Sequence, residues 1–282
     1  MKQDKIKEKI ESEDIEITLL LQGLYLKYGY DFRNYSNAHM KRRILRRMSM
    51  EGLNNISEIQ HKLLYDKDFF KTLLSDFSIN FTEMFRDPTF YKAFRKSVIP
   101  ILKTYPFVRI WHAGCSTGEE VYSMAILLKE EGLYEKVQIY ATDFNTMVLQ
   151  KAKEGIYAID NIKDYTRNYQ QAGGIASFAD YYTAKDDSVI IDQSLKKKIT
   201  FAEHNLVTDG VFGEMHVIIC RNVFIYFNRE LQNTVIKLFC DSLSNGCFLC
   251  LGSKENVKFS SRSDNFEVFN DSEKIYRKKY HV

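Results

Sequence analysis

Two adjacent acids, Glu119 and Glu120, open an amphipathic stretch directly after the small-residue loop Gly114, Cys115, Ser116, Thr117 and Gly118. Gly114 and Gly118 let a backbone come close to a ligand, and Ser116 and Thr117 add hydroxyls. The loop has neither the lysine of a phosphate-binding P-loop nor the third glycine of a dinucleotide fingerprint. A pyrophosphate here would face like charge, which costs on the order of 4 kcal/mol at about 4 Å and an effective dielectric of ~20. A cationic ligand would instead be attracted. The same acids would also complement the helix dipole, worth about 0.3–1 kcal/mol, and on these residues alone both readings stand.

Other polar residues fall where a parallel sheet directs them toward a ligand. Asp143 ends the strand-like run VQIYATD, where nucleoside-binding sheets place an acid for the ribose hydroxyls; it could also cap the helix that begins at MVLQKA. Arg221 and Asn222 follow the apolar run His216 to Cys220. Asn205 and Leu206 follow Ile199 to Ala202, the amide suited to an adenine edge and Leu206 to its face. Asn and Asp are common turn formers as well. In INFTEMFRDPTFY, Asn80, Thr82 and Arg86 alternate with Phe81 and Phe85. An arginine there can fork onto a carboxylate or make an interdomain salt bridge. The ligand that joins an ammonium, a sulfonium, a carboxylate and a nucleoside is S-adenosylmethionine.

The elements that must hold these residues change character along the chain. From Ile15 to about Pro100 apolar residues recur at helical spacing, as in Ile17, Leu20, Leu21 and Leu24, and no proline occurs before Pro88. Residues 15–100 thus read as a helical domain, preceded by a charged extension over 1–14. Residues 101–282 read as α/β. Short apolar runs at Val108 to His112, Val137 to Ala141, His216 to Cys220 and Phe248 to Leu251 alternate with helical stretches at Val121 to Lys129, Met147 to Lys153 and Arg229 to Leu243. YYT and SVIID, separated by AKDD, predict an inserted antiparallel hairpin at about 178–201. FEVF and KIYRKKY close the chain.

Taken in order, INFTEMFRDP, GCSTGEEVYSMAI, ATDFNTMVLQKAKEGIY, FAEHNL, CRNVFIYFN and LGSKENV resemble the CheR-type chemotaxis receptor methyltransferases, over about Ile15 to Tyr280. The resemblance implies an N-terminal all-α domain and a class I S-adenosylmethionine-dependent methyltransferase domain, a Rossmann-like sheet with a small antiparallel β-subdomain inserted. The implied reaction is methyl transfer to glutamates of chemoreceptor cytoplasmic helices, leaving S-adenosylhomocysteine. Cofactor contacts are implied at Asn80, Thr82, Arg86, Glu119, Asp143, Asn205, Leu206, Arg221 and Asn222. Glu119 is preferred to Glu120 only by this alignment. Val121 stands where the family usually has proline, and Met84 where phenylalanine is usual. The AKDD turn lacks the Gly-x-Gly of members that tether to a receptor's C-terminal pentapeptide, so tethering is not carried over.

On a helix at 100° per residue, Arg42, Arg43, Arg46 and Arg47 span an arc of about 140°, opposite Ile44, Leu45 and Met48. Within a chain of net charge +3, residues 32–50 hold six Lys or Arg and no acid. This predicts an outward basic face that draws an acidic receptor helix and weakens with salt. Charge alone would serve RNA equally, but no nucleic-acid partner is expected. A substrate glutamate, with a reference pKa of ~4.3, is ionised at neutral pH and needs no general base, so no catalytic residue is assigned. Tyr226 could line the methyl site or pack in the core. No apolar run approaches the roughly 20 residues of a membrane span. The five cysteines read as reduced thiols of a cytoplasmic signalling protein, and no metal is predicted.

Overall fold

A computed structural model describes residues 2–78 and 82–280, with residues 2–10 followed as backbone alone. The chain divides into two compact units, Met1–Ile79 with Ile225–Gln232, and Asn80–Phe224 with Asn233–Val282.

The first unit holds α1 (Lys2–Tyr28), α2 (Asn37–Met50), α3 (Ile56–Tyr65) and α4 (Lys67–Phe77). Its apolar spacing becomes a core of Leu20, Leu24, Ile44, Ile59, Leu63 and Leu73, all without exposure. Burying each such side chain contributes about 1.5–3 kcal/mol. Asn55 caps α3 by accepting from Glu58 N–H, and Asp66 caps α4 by accepting from Asp68 and Phe69 N–H. α1 runs unbroken through residue 14, so the charged extension is part of the first helix. A later segment completes this unit. Phe227 is buried against the Tyr35 ring at 5.1 Å, and Asn228 N–H donates to Asn34 O at 2.9 Å.

The second unit begins earlier than position 101. α5 (Pro88–Ala93), a π-helical turn over Phe94–Val98 and α6 (Ile99–Leu102) all belong to it. Periodicity shows that these residues are helical without showing which core they join. Phe90, Phe94 and Leu102 pack in the sheet unit's core.

Its strands are β1 (Val108–Ala113), β2 (Val137–Asp143), β3 (Ile156–Ala158), β4 (Tyr182–Lys185), β5 (Ser188–Ile191), β6 (Ile199–Glu203), β7 (Met215–Cys220), β8 (Leu243–Leu251), β9 (Phe266–Asn270) and β10 (Ile275–Lys278). Seven of them form one sheet in the order β6-β2-β1-β7-β8-β10-β9, parallel from β6 to β8 and antiparallel at β10 and β9. The helices α7 (Glu119–Glu130), α8 (Thr146–Glu154), α9 (Ile162–Gln171) and α10 (Arg229–Ser242) complete the chain's set. This is the expected Rossmann-like class. From β1 the chain goes to β2 and β6 on one side and later to β7 on the other. The carboxyl ends of β1 and β7 thus flank a topological switch point, where open α/β sheets bind ligands.

The inserted sheet is larger than expected. It has three antiparallel strands, ordered β3-β5-β4, spanning residues 156–191 and including α9 between β3 and β4. Residues Ile199 to Phe201, placed in the insertion by the sequence reading, belong to β6 of the large sheet. The hairpin turn at Asp186 is left-handed, φ 51°. All five cysteines are free and buried, and no described helix is long and apolar enough to cross a membrane.

Candidate cofactor site

The loop after β1 is laced to the end of β2. Gly114 and Cys115 N–H both donate to Thr142 O, at 2.8 and 2.9 Å, and Ser116 N–H donates to Asp143 Oδ2 at 2.9 Å. Gly114 has φ +78°, and a Cβ there would lie 2.8 Å from Val223 Cγ2, just past the β7 end. Gly118, at φ +93°, would press a Cβ to 3.0 Å from Ala152 Cβ. A side chain at either position would be strained in backbone and crowded. These close approaches give the crevice its floor.

Glu119 and Glu120 diverge although they are neighbours, because successive helical residues point about 100° apart. Glu119 is only 6% exposed; Thr117 Oγ1 donates to its Oε2 at 2.7 Å, and no cation among the described residues pairs with it. Burial pushes its carboxyl up to about 7, against the Thr117 hydrogen bond. Glu120 turns to β1 and β7, taking His112 Nδ1 at 3.0 Å on Oε1 and Arg221 at 3.2 Å on Oε2. Burial raises its carboxyl, but the His112 hydrogen bond and the Arg221 charge hold it below the ordinary value. Glu119, the acid that the resemblance prefers, is thus the one with no cation against it among the described residues.

Asp143 is also buried. Its oxygens accept from Ser116 and Asn145 N–H at 2.9 and 3.0 Å, and burial pushes it up to about 6. It does not cap α8; Asn145 does, accepting from Met147 N–H. Each carboxylate oxygen still has acceptor capacity. On β6's side, Asn205 Oδ1 accepts from Val207 N–H, and Asn205 N–H donates to Asp209 Oδ2. The Asn205 side-chain NH2 keeps no partner among the described residues. Leu206 is buried beside it.

Asn80 lies outside the described residues. Thr82 and Arg86 are half-buried on a segment with two left-handed non-glycine residues, Phe85 at φ 54° and Asp87 at φ 56°. Such residues cost of order 1–3 kcal/mol each and persist where surroundings over-determine them. Phe85 N–H donates to Ser123 Oγ at 2.8 Å, and that hydroxyl donates to Glu119 O at 2.7 Å. Arg221, with a side chain 2% exposed, pairs with Asp87 at 2.7 Å as well as with Glu120, donates to Arg86 O at 3.3 Å and stacks on Phe90 at 4.2 Å. Asn222 is left-handed, φ 60°, and its N–H donates to Glu255 Oε2 at 3.1 Å. The structure thus gathers Thr82, Arg86, Glu119, Asp143, Arg221 and Asn222 on the segments that border the switch point.

Several residues of this region were not singled out from the sequence. Glu255 binds Gly252 N–H as well as Asn222 N–H and closes the β8 end against the β7 end; the acid of LGSKENV was its signal. Tyr157 on β3 donates to Thr117 O at 2.8 Å and ties the small sheet to the loop. Ser123 and Asp87 act through Phe85 and Arg221, partners distant in sequence, and His112 acts through Glu120 across the loop.

In the helical unit, α2 corrects the uniform outward face. Arg42 and Arg46 are exposed, but Arg43 donates to Asp76 O and Arg47 binds Asp76 at 2.5 and 3.0 Å and Glu51 at 3.2 Å. Arg43 and Arg47 sit on the edge of the arc that turns toward the end of α4. Burial lowers the Arg43 pKa. Tyr226 packs in the same unit, its ring 5.5 Å from that of His39.

The residues fit S-adenosylmethionine. Glu119 could offer a desolvated carboxylate to an ammonium, Asp143 an acceptor to ribose hydroxyls, and Asn205 a donor beside the apolar Leu206. Residues 15–78 match the family model described as CheR methyltransferase, all-alpha domain, and residues 80–275 match CheR methyltransferase, SAM binding domain. The Pseudomonas putida protein Cher3, provisionally named a methyltransferase, is 51% identical over 94% of this chain and 97% of its own. The chemotaxis protein methyltransferase of Listeria innocua is 30% identical over 81% of this chain and 85% of its own, and that of Borreliella burgdorferi 27% over 86% and 88%. The chain belongs to the CheR methyltransferase family and is an S-adenosylmethionine-dependent methyltransferase.

Proposed function

We propose that the protein methylates glutamate side chains on the cytoplasmic helices of chemoreceptors, in the cytoplasm, yielding glutamyl methyl esters and S-adenosylhomocysteine. The observation that carries this reading is Glu119, a buried carboxylate beside the switch point with no cation against it among the described residues. Family membership and the relatives named chemotaxis protein methyltransferases support a receptor substrate.

Arg86 takes the methionine carboxylate, Glu119 the ammonium and Asp143 the ribose; Thr82, Asn205, Leu206 and Asn222 line the remainder, with Asn80 completing the first segment. S-adenosylmethionine supplies an activated methyl on a sulfonium. Transfer of that methyl to an acceptor carboxylate, with cleavage of the carbon–sulfur bond, would cancel the two opposite charges. Since the acceptor is already ionised, the protein's contributions are in-line alignment and exclusion of water rather than proton transfer. Arg42 and Arg46, exposed and unpaired with any carboxylate among the described residues, are the cations offered to the acidic receptor helix.

The test incubates the protein with methyl-labelled S-adenosylmethionine and a receptor cytoplasmic fragment. Base-labile label on the fragment is the expected result. Label on added RNA alone, or none, would overturn the reading.

A further inference from the structure

Arg221 stands where a strand end aims a side chain at a ligand, yet both terminal nitrogens of its guanidinium are already engaged. One nitrogen serves Arg86 O and Glu120 Oε2, another serves Asp87 Oδ2, and the plane lies on the Phe90 ring. Only the buried Nε has no partner among the described residues, so a cofactor contact through either terminal nitrogen would have to displace Glu120, Asp87 or Arg86 O. We propose that Arg221 is instead a positioning residue: it clamps the Phe85–Asp87 turn to the start of α7, and so sets the spacing between Arg86 and Glu119 at the amino-acid end of the cofactor. The inference rests on the reading of Arg86 and Glu119 given above.

Two cross-links join the same pair of segments. Ser123 Oγ connects Phe85 N–H to Glu119 O, and Arg221 connects Asp87 and Arg86 O to Glu120. Glu120 in turn is fixed on β1 by His112. The turn needs such support because Phe85 and Asp87 are both left-handed. A planar fork can serve two carboxylates and a carbonyl while stacking on an aromatic face, and a lysine ammonium cannot. Asp87 is the accessible end of the clamp, its side chain 40% exposed. It makes no side-chain cap to α5, so Asp87→Asn, which tolerates the same backbone, removes the charge pair and little else.

The experiment is a double-mutant cycle on the full chain, read as S-adenosylhomocysteine affinity by calorimetry with melting curves alongside. Arg86→Ala is expected to weaken binding about 30-fold and Asp87→Asn about fivefold, and the double variant to bind within about twofold of Arg86→Ala alone. Arg221→Lys should give a partial loss that also vanishes on the Arg86→Ala background. Losses that multiply in the double variant, as a direct contact or a general loss of stability would give, overturn the clamp. So does parental affinity in Asp87→Asn. Parental affinity in Arg86→Ala alone would remove the methionine-end reading itself, and the clamp with it.

Discussion

At the crevice beside β1, Glu119 and Asp143 are buried with no cation of the chain against them among the described residues, and both carboxyls are pushed up. Along α2 the arrangement is reversed. Arg33, Lys41 and Arg47 pair with Asp31, Glu13, Asp14, Asp76 and Glu51, every one of which lies outside residues 32–50. Three of the window's six cations are therefore paired with acids that folding brings to them. A modest local charge kept unpaired in a desolvated place is better poised for a ligand than a larger one already answered on the surface, where exposed pairs contribute about 0–1 kcal/mol.

The largest effect is expected at Asp143. Asp143→Ala removes the proposed ribose acceptor and leaves the Ser116 and Asn145 N–H groups without their carboxylate, at about 1–3 kcal/mol for each donor that stays buried. Affinity for S-adenosylhomocysteine should fall about 100-fold in calorimetry. Unchanged affinity would mean that Asp143 serves the loop alone.

Glu119 tests whether the unpaired charge is kept at a cost in stability. The folded protein holds its proton more tightly than the unfolded chain does. The stability from this group is therefore full below its ordinary value of 4.5 and lost as pH climbs through about 7. The difference is on the order of 3 kcal/mol. Glu119→Gln should bind the cofactor product about tenfold more weakly at pH 8 and melt at a higher temperature there. In the parent, affinity should strengthen from pH 6 to 7.5 as Glu119 ionises, and in the variant this rise should disappear. A variant that melts lower at pH 8 would show Glu119 to be structural.

The α2 contrast predicts smaller effects. Arg42→Glu with Arg46→Glu should raise the receptor KM about five- to tenfold at low ionic strength and much less at high salt, with cofactor affinity unchanged. A salt-independent effect would argue against steering. Arg47→Ala should lower the melting temperature by only a few degrees, as expected for about 1 kcal/mol, and leave the receptor KM near the parent's. An Arg47→Ala effect on KM as large as that of the Arg42 and Arg46 pair would restore the four-arginine face.

Much of this was legible in the sequence because the signal was local. The apolar runs of β1, β2, β7 and β8 are buried on both faces and stand out as such, and GCSTGEE carries both the loop and its acids. The strand β3 was missed because IYA is short and alternates exposed, buried, exposed directly after Gly155, which ends α8. Glu119 and Glu120 are indistinguishable by type; only the positions of His112 and Arg221 separate them. The pinning of Arg43 and Arg47 depends on Asp76, which no window around α2 contains.

The octapeptide Ile225–Gln232 follows Asn222 within three residues, yet its packing partners are in the helical unit. The first unit is therefore not a detachable prefix. A chimera that replaced only residues 1–79 with those of a relative would keep this chain's Tyr226, Phe227 and Asn228 against a foreign Asn34, Tyr35 and His39. An exchange of the helical unit that keeps its packing has to move residues 1–79 and Ile225–Gln232 together.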